Sequence, residues 1–323
     1  MLIYLAGGEA WADLLLDMGV KNQLFSYFYF RQSLRSSNGK ARTLLARLRK
    51  AQEKGYRFML DSGAFTYQIK QGRGVPPPHA YFDEYLSFCL EYGDLFGVIA
   101  EFDVDYHAKE NGEDITTEQT NEWTNRFLAE PELALRYMPI HHPYRGARWL
   151  NDWLADTRSP YVGLGSDTSS AGSDATVIAK AHRFGKYIHG FAQTRIKTDL
   201  KYTPFDSVDS TTWLRADKFG GTMIFQNNKL IVLDHLHKKD RALYREYYRR
   251  WGLDFKKIMT DDLNENRLAT IVCWREMANA YEQRQVTFGP PHPYLYKAVK
   301  DGKRLPTEHP LVTEYLKKKR LSD

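Results

Sequence analysis

The feature that most constrains the fold is a repeated alternation of short apolar runs with amphipathic stretches. Eight short runs are predicted strands, at 2–5, 24–30, 58–60, 96–100, 137–140, 161–165, 187–191 and 205–208. The stretches between them carry the period of a helix, as residues 44–51 do. Strands that alternate with helices predict a parallel α/β fold, and eight of them predict a (β/α)8 TIM barrel. A doubly wound open sheet is the alternative.

The pattern changes after Trp213. Two apolar runs, at 222–225 and 230–233, flank Asn227-Asn228, which predicts a β-hairpin. Helices are predicted at about 239–251 and 263–283. We therefore expect a barrel catalytic core over 1–215, with a hairpin and helical extension over 216–323 packed on it and contacting nucleic acid.

The composition limits the class of protein. Of the 323 residues 42% are hydrophobic, which is enough for a large core. No apolar run of membrane-spanning length occurs, so no membrane partner is expected. The apolar N-terminus predicts a first strand rather than a signal peptide. Two cysteines, Cys89 and Cys273, have no metal-type spacing and indicate a reducing, cytoplasmic environment.

Positive charge is unevenly spread, although the formal excess is only +6. Arg241, Arg245 and Arg249 lie four residues apart, and this spacing predicts that they share one helical face. With Lys238 and the neighbouring aromatic residues they predict a nucleic-acid surface. The alternative is an amphipathic helix whose basic side is simply solvated.

Acidic residues follow several predicted strands. Asp61, Asp103 and Asp209 stand at or near strand ends that meet at one face of a barrel. Carboxyl groups gathered there can serve as nucleophile or as general acid and base. For any one of them the alternative is a turn or a helix cap.

Several short motifs resemble those of a known family. Asp61-Ser62-Gly63-Ala64-Phe65 resembles the signature of tRNA-guanine transglycosylases. Gly163-Leu164-Gly165, Tyr187-Ile188-His189-Gly190-Phe191 and the segment 207–213 are similar to the phage-borne DpdA-type DNA-guanine transglycosylases. The resemblance extends from the first strand to about Trp213. It implies a barrel enzyme that exchanges guanine in DNA for a 7-deazaguanine base such as 7-cyano-7-deazaguanine, a phage modification that protects DNA against host restriction.

The resemblance also implies roles for individual residues. Asp209 would be the nucleophile, with Asp206 as the competing candidate. Asp61 would be the general acid and base, Phe65 would stack on the base, and Asp103 would accept hydrogen bonds from the guanine edge. The remaining residues implied in substrate binding are Ser62, Gly63, His141, Gly163, Leu164, Gly165, His189, Gly190 and Phe191.

The chain departs from the family in two places. The zinc site of three cysteines and a histidine is absent, so no cofactor is expected. Asp234, His235 and His237 lie in the corresponding region. We expect a histidine-bearing surface turn there, because structural zinc sites have strict ligand spacing, and a degenerate zinc site is the alternative. A His141-His142 pair stands where the tRNA enzymes carry glutamine and glycine. We expect His141 to contact the substrate, either by reading the base or by lining the rim of the pocket, and this departure leaves the details of the substrate open.

The resemblance leaves the polymer open. We find no added RNA-binding domain in the sequence, which favours DNA over tRNA. A tRNA-guanine transglycosylase is the first alternative and a non-catalytic nucleic-acid-binding barrel is the second. A glycosylase that releases guanine and leaves an abasic site is the third.

Overall fold

The computed structural model describes residues 1–35, 39–70, 73–105, 108–165, 171–194, 205–214, 220–233 and 235–288, with the backbone alone at 171–175, 235–237 and 284–288. The strands are β1 Leu2–Ala6, β2 Asn22–Ser26, β3 Arg57–Asp61, β4 Val98–Ala100, β5 Lys109–Glu110, β6 Glu113–Asp114, β7 Tyr137–Met138, β8 Ile140–His141, β9 Tyr161–Leu164, β10 Tyr187–Gly190, β11 Ser207–Ser210, β12 Thr222–Gln226 and β13 Lys229–Leu233.

One or two helices lie between most consecutive strands of the large sheet. They are α1 Ala12–Asp17, α2 Tyr27–Arg35, α3 Lys40–Glu53, α4 Ala64–Lys70, α5 Pro78–Tyr92, α6 Thr117–Leu128, α7 Pro131–Ala134, α8 Gly146–Ala155, α9 Ala171–Arg183, α10 Arg245–Arg250, α11 Phe255–Met259 and α12 Leu263–Phe288, with a 3-10 helix at His235–Tyr244.

Nine strands form one sheet in the order β7-β4-β3-β2-β1-β11-β10-β9-β8. Every neighbouring pair is parallel. The two strands at the ends of this order, β7 and β8, are separated in the chain by Pro139 alone. Because proline has no amide hydrogen, it interrupts a strand. The sheet therefore nearly closes on itself, and the predicted α/β barrel-like architecture is confirmed at this level.

The alternation of side chains separates an interior from an outer layer. One buried apolar cluster contains only strand residues and Phe191, with members on β1, β2, β3, β4 and β7 to β10. Tyr4 and Met59 belong to it. The strand neighbours Leu5 and Leu60 instead pack with residues of the helices. The first cluster thus fills the interior, and the helices cover the outside.

The last described helix completes the outer layer beside β1. Trp274 and Met277 of α12 share an apolar cluster with Ile3 and Leu5. The predicted hairpin is confirmed as β12 and β13, whose register places Gln226 opposite Lys229. Asn227 and Asn228 form its turn with φ of 52° and 61°, the left-handed conformation that two-residue hairpin turns require.

Two predicted elements are wrong in extent. The strand predicted at 24–30 ends at Ser26, and α2 begins at Tyr27. Its buried residues Tyr27, Phe28, Phe30 and Arg31 have helical spacing, which a run of aromatic residues conceals. The helix predicted at 239–251 is a 3-10 helix as far as Tyr244, and the α-helical part begins only at Arg245. In contrast, the helix predicted at 263–283 is confirmed and extends to 288.

No helix within the described ranges is both long enough and apolar enough to cross a lipid bilayer.

Candidate active site at the carboxyl ends of the strands

Asp61 is the last residue of β3 and lies two residues after Met59, an interior residue. Its side chain therefore faces the interior at the carboxyl end of the sheet, which we call the mouth. The amide of Gly63 donates a 2.9 Å hydrogen bond to Asp61 Oδ2. Gly63 has φ of 82°, and a Cβ there would lie 2.6 Å from Phe28 Cβ, so only glycine fits this turn.

The environment of Asp61 makes it readily protonated. Burial, followed by the charge of Asp103, raises its pKa from 3.8 to about 7. The carboxyls of Asp209 and Glu9 act in the same direction, while the Gly63 amide opposes them. A carboxyl that titrates near neutral pH can both give and take a proton, as a general acid and base must.

Asp209 lies on β11 opposite Tyr4 of β1, so it faces the interior as Tyr4 does. Its Oδ1 accepts a 2.9 Å hydrogen bond from the Ala192 amide and lies 3.3 Å from His189 Nε2. His189 Nδ1 is 2.9 Å from Ser207 Oγ, and a tautomer protonated on Nε2 satisfies both histidine contacts. Neither bond uses Oδ2, so within the part of the chain that the structure describes this oxygen is the candidate for contact with a substrate.

Ala192 shows backbone strain beside this carboxylate. Its φ is 52°, in the left-handed region that a non-glycine residue rarely adopts. This conformation directs its amide to Asp209. Strain of this kind is typical of functional sites.

The geometry separates Asp209 from Asp206. Asp206 precedes β11, at the opposite end of the strand from the mouth, and accepts a 2.9 Å hydrogen bond from the Ile188 amide. It also lies 2.8 Å from Nε2 of His182, on the outer helix α9. Of the two carboxylates that compete for the nucleophile's role, only Asp209 is in the mouth.

His142 accompanies Asp103 at this end of the sheet, and the sequence analysis did not assign it to the site. His142 Nε2 lies 2.7 Å from Asp103 Oδ2, and its ring stacks on Tyr144. His141 pairs in register with Leu164, which packs in the outer layer. Because residues directly opposite share a face, the placement of His141 in the pocket is wrong. The two adjacent histidines gave no signal to choose between faces.

Arg145 forms a buried ionic network behind this pair, which the sequence analysis also missed. Its guanidinium contacts Glu101 at 3.0 Å and Asp105 at 2.6 Å, and it donates to the Ile140 carbonyl. Burial opposes ionisation of Asp105, but Arg145 outweighs it and holds the pKa of that carboxyl below its usual range. The network joins the end of β4 to β8 and so fixes the segments that carry Asp103 and His142.

The glycine motifs have packing roles in the structure. A Cβ on Gly163 would lie 2.9 Å from Phe191, whose ring packs edge-on against His189. A Cβ on Gly190 would lie 2.9 Å from Phe205. Glycine at 163 therefore allows Phe191 to line the interior beside His189, and glycine at 190 allows Phe205 to pack closely in the outer layer.

The amide of Gly163 donates to the Pro139 carbonyl, and that of Gly165 donates to the His141 carbonyl. Leu164 faces outward, and its carbonyl accepts from Phe191. The amides of Gly163 and Gly165 are therefore both bonded within the sheet, and the part in substrate binding that the resemblance implies for these three residues stays a prediction.

Ser62 and Phe65 differ strongly in exposure. Ser62 is fully buried, its Oγ accepts from the Ala64 amide, and its carbonyl accepts a 2.8 Å bond from the Tyr81 hydroxyl. Ser62 thus anchors the turn after β3. Phe65, in the first turn of α4, is 76% exposed and stands out from the rim of the mouth.

The predicted basic face is not continuous. Arg241 is 0% exposed, donates to the Ile258 carbonyl and pairs with Asp261, so its assignment to a nucleic-acid surface is wrong. Lys238 pairs with the same carboxylate at 2.9 Å.

Among the remaining candidates, the Arg245 guanidinium lies 4.8 Å over the ring of Phe255, and Arg249 forms an exposed 3.0 Å pair with Glu246. A 3-10 helix does not keep the α-helical spacing on which the prediction was based.

Among the described residues, no group of three or more histidine, cysteine or acidic side chains is placed to hold a metal ion. Asp234 and the side chains of His235 and His237 lie outside the described residues. Comparison with protein-family models, with curated proteins and with solved structures gives no match. The interpretation of the mouth therefore depends on its geometry and on the sequence resemblance.

Proposed function

We propose that the chain is a DNA-guanine transglycosylase that exchanges guanine for a 7-deazaguanine base through a covalent aspartyl-nucleotide intermediate. One observation carries the proposal. A carboxyl with a pKa of about 7, Asp61, and a carboxylate held by two donors, Asp209, face the same mouth of a barrel-like sheet. These are the two groups that a base exchange with retention of the nucleotide requires.

The proposal includes a finer description of the fold. If β7, Pro139 and β8 are counted as one interrupted strand, the sheet contains eight strands in sequential order, as a (β/α)8 barrel does. The hairpin and the helices after it would then be an extension of this barrel, part of which, 289–323, lies outside the described residues.

The exchange would proceed in two displacements. Asp209 Oδ2 attacks C1′ of the nucleotide, and the bond from C1′ to the guanine N9 breaks as Asp61 gives its proton to the departing base. The incoming 7-deazaguanine then attacks C1′ and gives its proton to Asp61, which releases Asp209. The Ala192 amide and His189 stabilise the Asp209 carboxylate in the free state, before and after the covalent step.

Asp103 and His142 would recognise the base. A carboxylate accepts hydrogen bonds from the N1–H and the amino group of guanine, an edge that 7-deazaguanines share. Contact with His142 orients the Asp103 carboxylate, and the Arg145 network fixes both segments. Selection by such a pair would exclude adenine, which presents an acceptor at N1.

The polymer would be DNA, as in the phage-borne enzymes that the sequence resembles, and the proposed role is protection of that DNA in a host cytoplasm. Within the C-terminal region, Arg245 and Arg249 remain the candidates for phosphate contact, together with Lys238, which pairs with Asp261. No cofactor takes part in these steps.

The test is an exchange assay with radiolabelled guanine and, separately, with 7-cyano-7-deazaguanine. A DNA duplex, the matched single strand and a tRNA are each incubated with the protein, digested to nucleosides and analysed by mass. Asp209→Asn is the inactive variant, and Asp206→Asn is the matched control because it changes an aspartate three residues away that is outside the mouth.

Incorporation into DNA that is lost only in Asp209→Asn supports the proposal. Incorporation into tRNA alone would assign the enzyme to the tRNA branch. An abasic site in place of a new base would indicate a glycosylase. Absence of any exchange, with other 7-deazaguanines also tried, would contradict the proposed chemistry and leave a barrel that binds nucleic acid.

A further inference from the structure

Three large apolar side chains are exposed on α2 and α4, the helices that follow β2 and β3 at the mouth. Phe65 and Ile69 lie four residues apart on one face of α4 and are 76% and 59% exposed. Tyr29 of α2 is 41% exposed. We call these three residues the rim patch. Exposed apolar side chains that occur together mark surfaces that other molecules cover.

The rim patch is tied to the acid of the mouth by short contacts. Phe28 packs against Gly63 in the turn after Asp61, and its ring lies edge-on to Tyr29 with 5.7 Å between centroids. Only three residues separate Asp61 from Phe65, a length of chain that spans at most about 14 Å. A nucleotide whose C1′ lies in the mouth would therefore place its neighbours in the strand near Phe65.

Positive charge lies next to the rim patch. Lys70 ends α4 with its Nζ 5.7 Å from the Phe28 ring, and the exposed Arg73 follows. The seven residues of α4 include no acidic side chain. Apolar side chains bordered by cations match the two parts of a nucleic acid, since bases stack on the former and phosphates bind the latter.

We propose that Phe65 and Ile69 enter the base stack of duplex DNA and fill the space of the everted guanine, while Lys70 and Arg73 bind the flanking phosphates. The inference rests on the proposed function and adds to it that the substrate is a duplex. It also changes the role of Phe65, which would replace the guanine in the stack rather than cover it in the pocket. Stacking of Phe65 on the neighbouring bases would offset part of the free energy needed to unstack the guanine.

The first experiment measures binding without chemistry. A 30-base-pair duplex with a single abasic site, flanked by 2-aminopurine, is compared with the intact duplex and with the single strand. Because the gap in the abasic duplex needs no eversion, the wild-type protein should bind it about tenfold more tightly and change the 2-aminopurine fluorescence. Phe65→Ser combined with Ile69→Ser should remove both effects and keep the affinity for the single strand.

The matched control is Leu243→Ser. Leu243 is 79% exposed on the 3-10 helix His235–Tyr244, so this substitution removes an exposed apolar side chain that is not part of the rim patch. It should keep the preference for the abasic duplex. Equal affinity of the wild-type protein for abasic and intact duplexes would overturn the inference, as would a preference that the double variant retains.

The second experiment measures exchange of labelled guanine into native and heat-denatured genomic DNA, which presents every sequence context. The double variant should lose at least tenfold on native DNA and less than threefold on denatured DNA. An equal loss on both would overturn the inference, because Phe65 would then contact the base in the pocket. If the wild-type protein exchanges guanine in neither DNA but prefers the abasic duplex, the proposed chemistry fails and the insertion of the rim patch stands.

Discussion

Two aspartate–histidine pairs lie on or beside β11. They differ in the face and the end of the strand at which they lie, and in the partners of the carboxylate. The mouth pair, His189 and Asp209, faces the interior at the carboxyl end of the sheet, with Oδ2 of the carboxylate outside both hydrogen bonds. The outer pair, His182 and Asp206, joins the start of the strand to α9, and its Oδ2 also holds the Ile188 amide. Side chains alternate between the two faces along a strand, so the three positions that separate Asp206 from Asp209 are enough to place the two carboxylates on opposite faces.

The comparison shows how the same chemical pair serves stability in one place and is available for reaction in another. Asp206 is enclosed by its partners, so no substrate reaches it. Asp209 and Asp61 instead face a common space. Burial, the charge of Asp103 and, to a lesser extent, that of Asp209 raise the pKa of Asp61 there, so its ionised form is unfavourable. We therefore expect Asp206 to stabilise the fold and ionised Asp61 to destabilise it.

The largest expected effect is on the reaction. Asp209→Asn keeps the shape of the side chain but removes the nucleophile, and we expect guanine exchange to fall by at least about 10³-fold. Denaturant unfolding should give a free energy within about 1 kcal/mol of the wild type. Exchange in Asp209→Asn above a tenth of the wild-type rate would remove Asp209 from the proposed covalent step.

The second prediction concerns Asp61 and pH. Because the folded pKa is raised from 3.8 to about 7, the folded protein binds more protons than the unfolded chain between these values, and stability falls as the pH rises through this window. Asp61→Asn removes the ionised form. We expect it to raise the free energy of unfolding at pH 8 by roughly 2–4 kcal/mol, with a smaller gain at pH 5, and to abolish exchange.

Urea unfolding of the wild type and Asp61→Asn at both pH values tests this prediction. Glu118→Gln, on the exposed part of α6, is a control for the removal of a carboxyl outside the mouth. A gain of the same size at pH 5 and pH 8 would show that the effect does not come from ionisation of Asp61.

The third prediction sharpens the contrast with the outer pair. Asp206→Asn weakens charge-assisted bonds to the Ile188 amide and to His182, and we expect it to lower the free energy of unfolding by about 1.5–3 kcal/mol. Exchange per folded molecule should stay within threefold of the wild type. An Asp206→Asn protein that is fully folded and inactive would contradict the separation of the two carboxylates.

The smallest expected effect is at the histidines. His189→Gln leaves the Ala192 amide on Asp209, so exchange should fall by only about tenfold. His182→Gln should leave the rate of exchange unchanged in the folded protein. Equal rates in the two variants, measured at saturating substrate, would mean that the mouth pair does not act as a unit.

Much of the architecture could be predicted because its signals are local. Seven of the eight predicted strands correspond to strands of the sheet within a few residues, since apolar runs bounded by polar residues specify buried strands. Asp61 and Asp209 could be placed at strand ends for the same reason. At Tyr27, however, aromatic residues suit a strand and a helix equally, and packing against α5 rather than propensity decides the outcome.

The errors at the site come from interactions between distant parts of the chain. Arg241 is a basic residue in a basic segment, and only the fold shows that Asp261 and the Ile258 carbonyl enclose it. The Arg145 network likewise joins residues about 40 positions apart, as the separation of Arg145 and Asp105 shows. The sequence could not distinguish His142 from His141 because both faces of this strand are apolar, with Tyr137 in the outer layer and Met138 and Ile140 in the interior.

The interruption at Pro139 has a mechanical consequence. β7 bonds to β4 and β8 bonds to β9, so the two halves of the wall are each complete up to this residue. The chain is nevertheless held on both sides of this residue, because the Met138 carbonyl accepts from the Glu101 amide and the Pro139 carbonyl accepts from the Gly163 amide. The Glu101 carboxylate adds a bond from the Ile140 amide and the buried pair with Arg145. Where proline removes a backbone donor from the wall, a buried ion pair therefore joins the strands on its two sides.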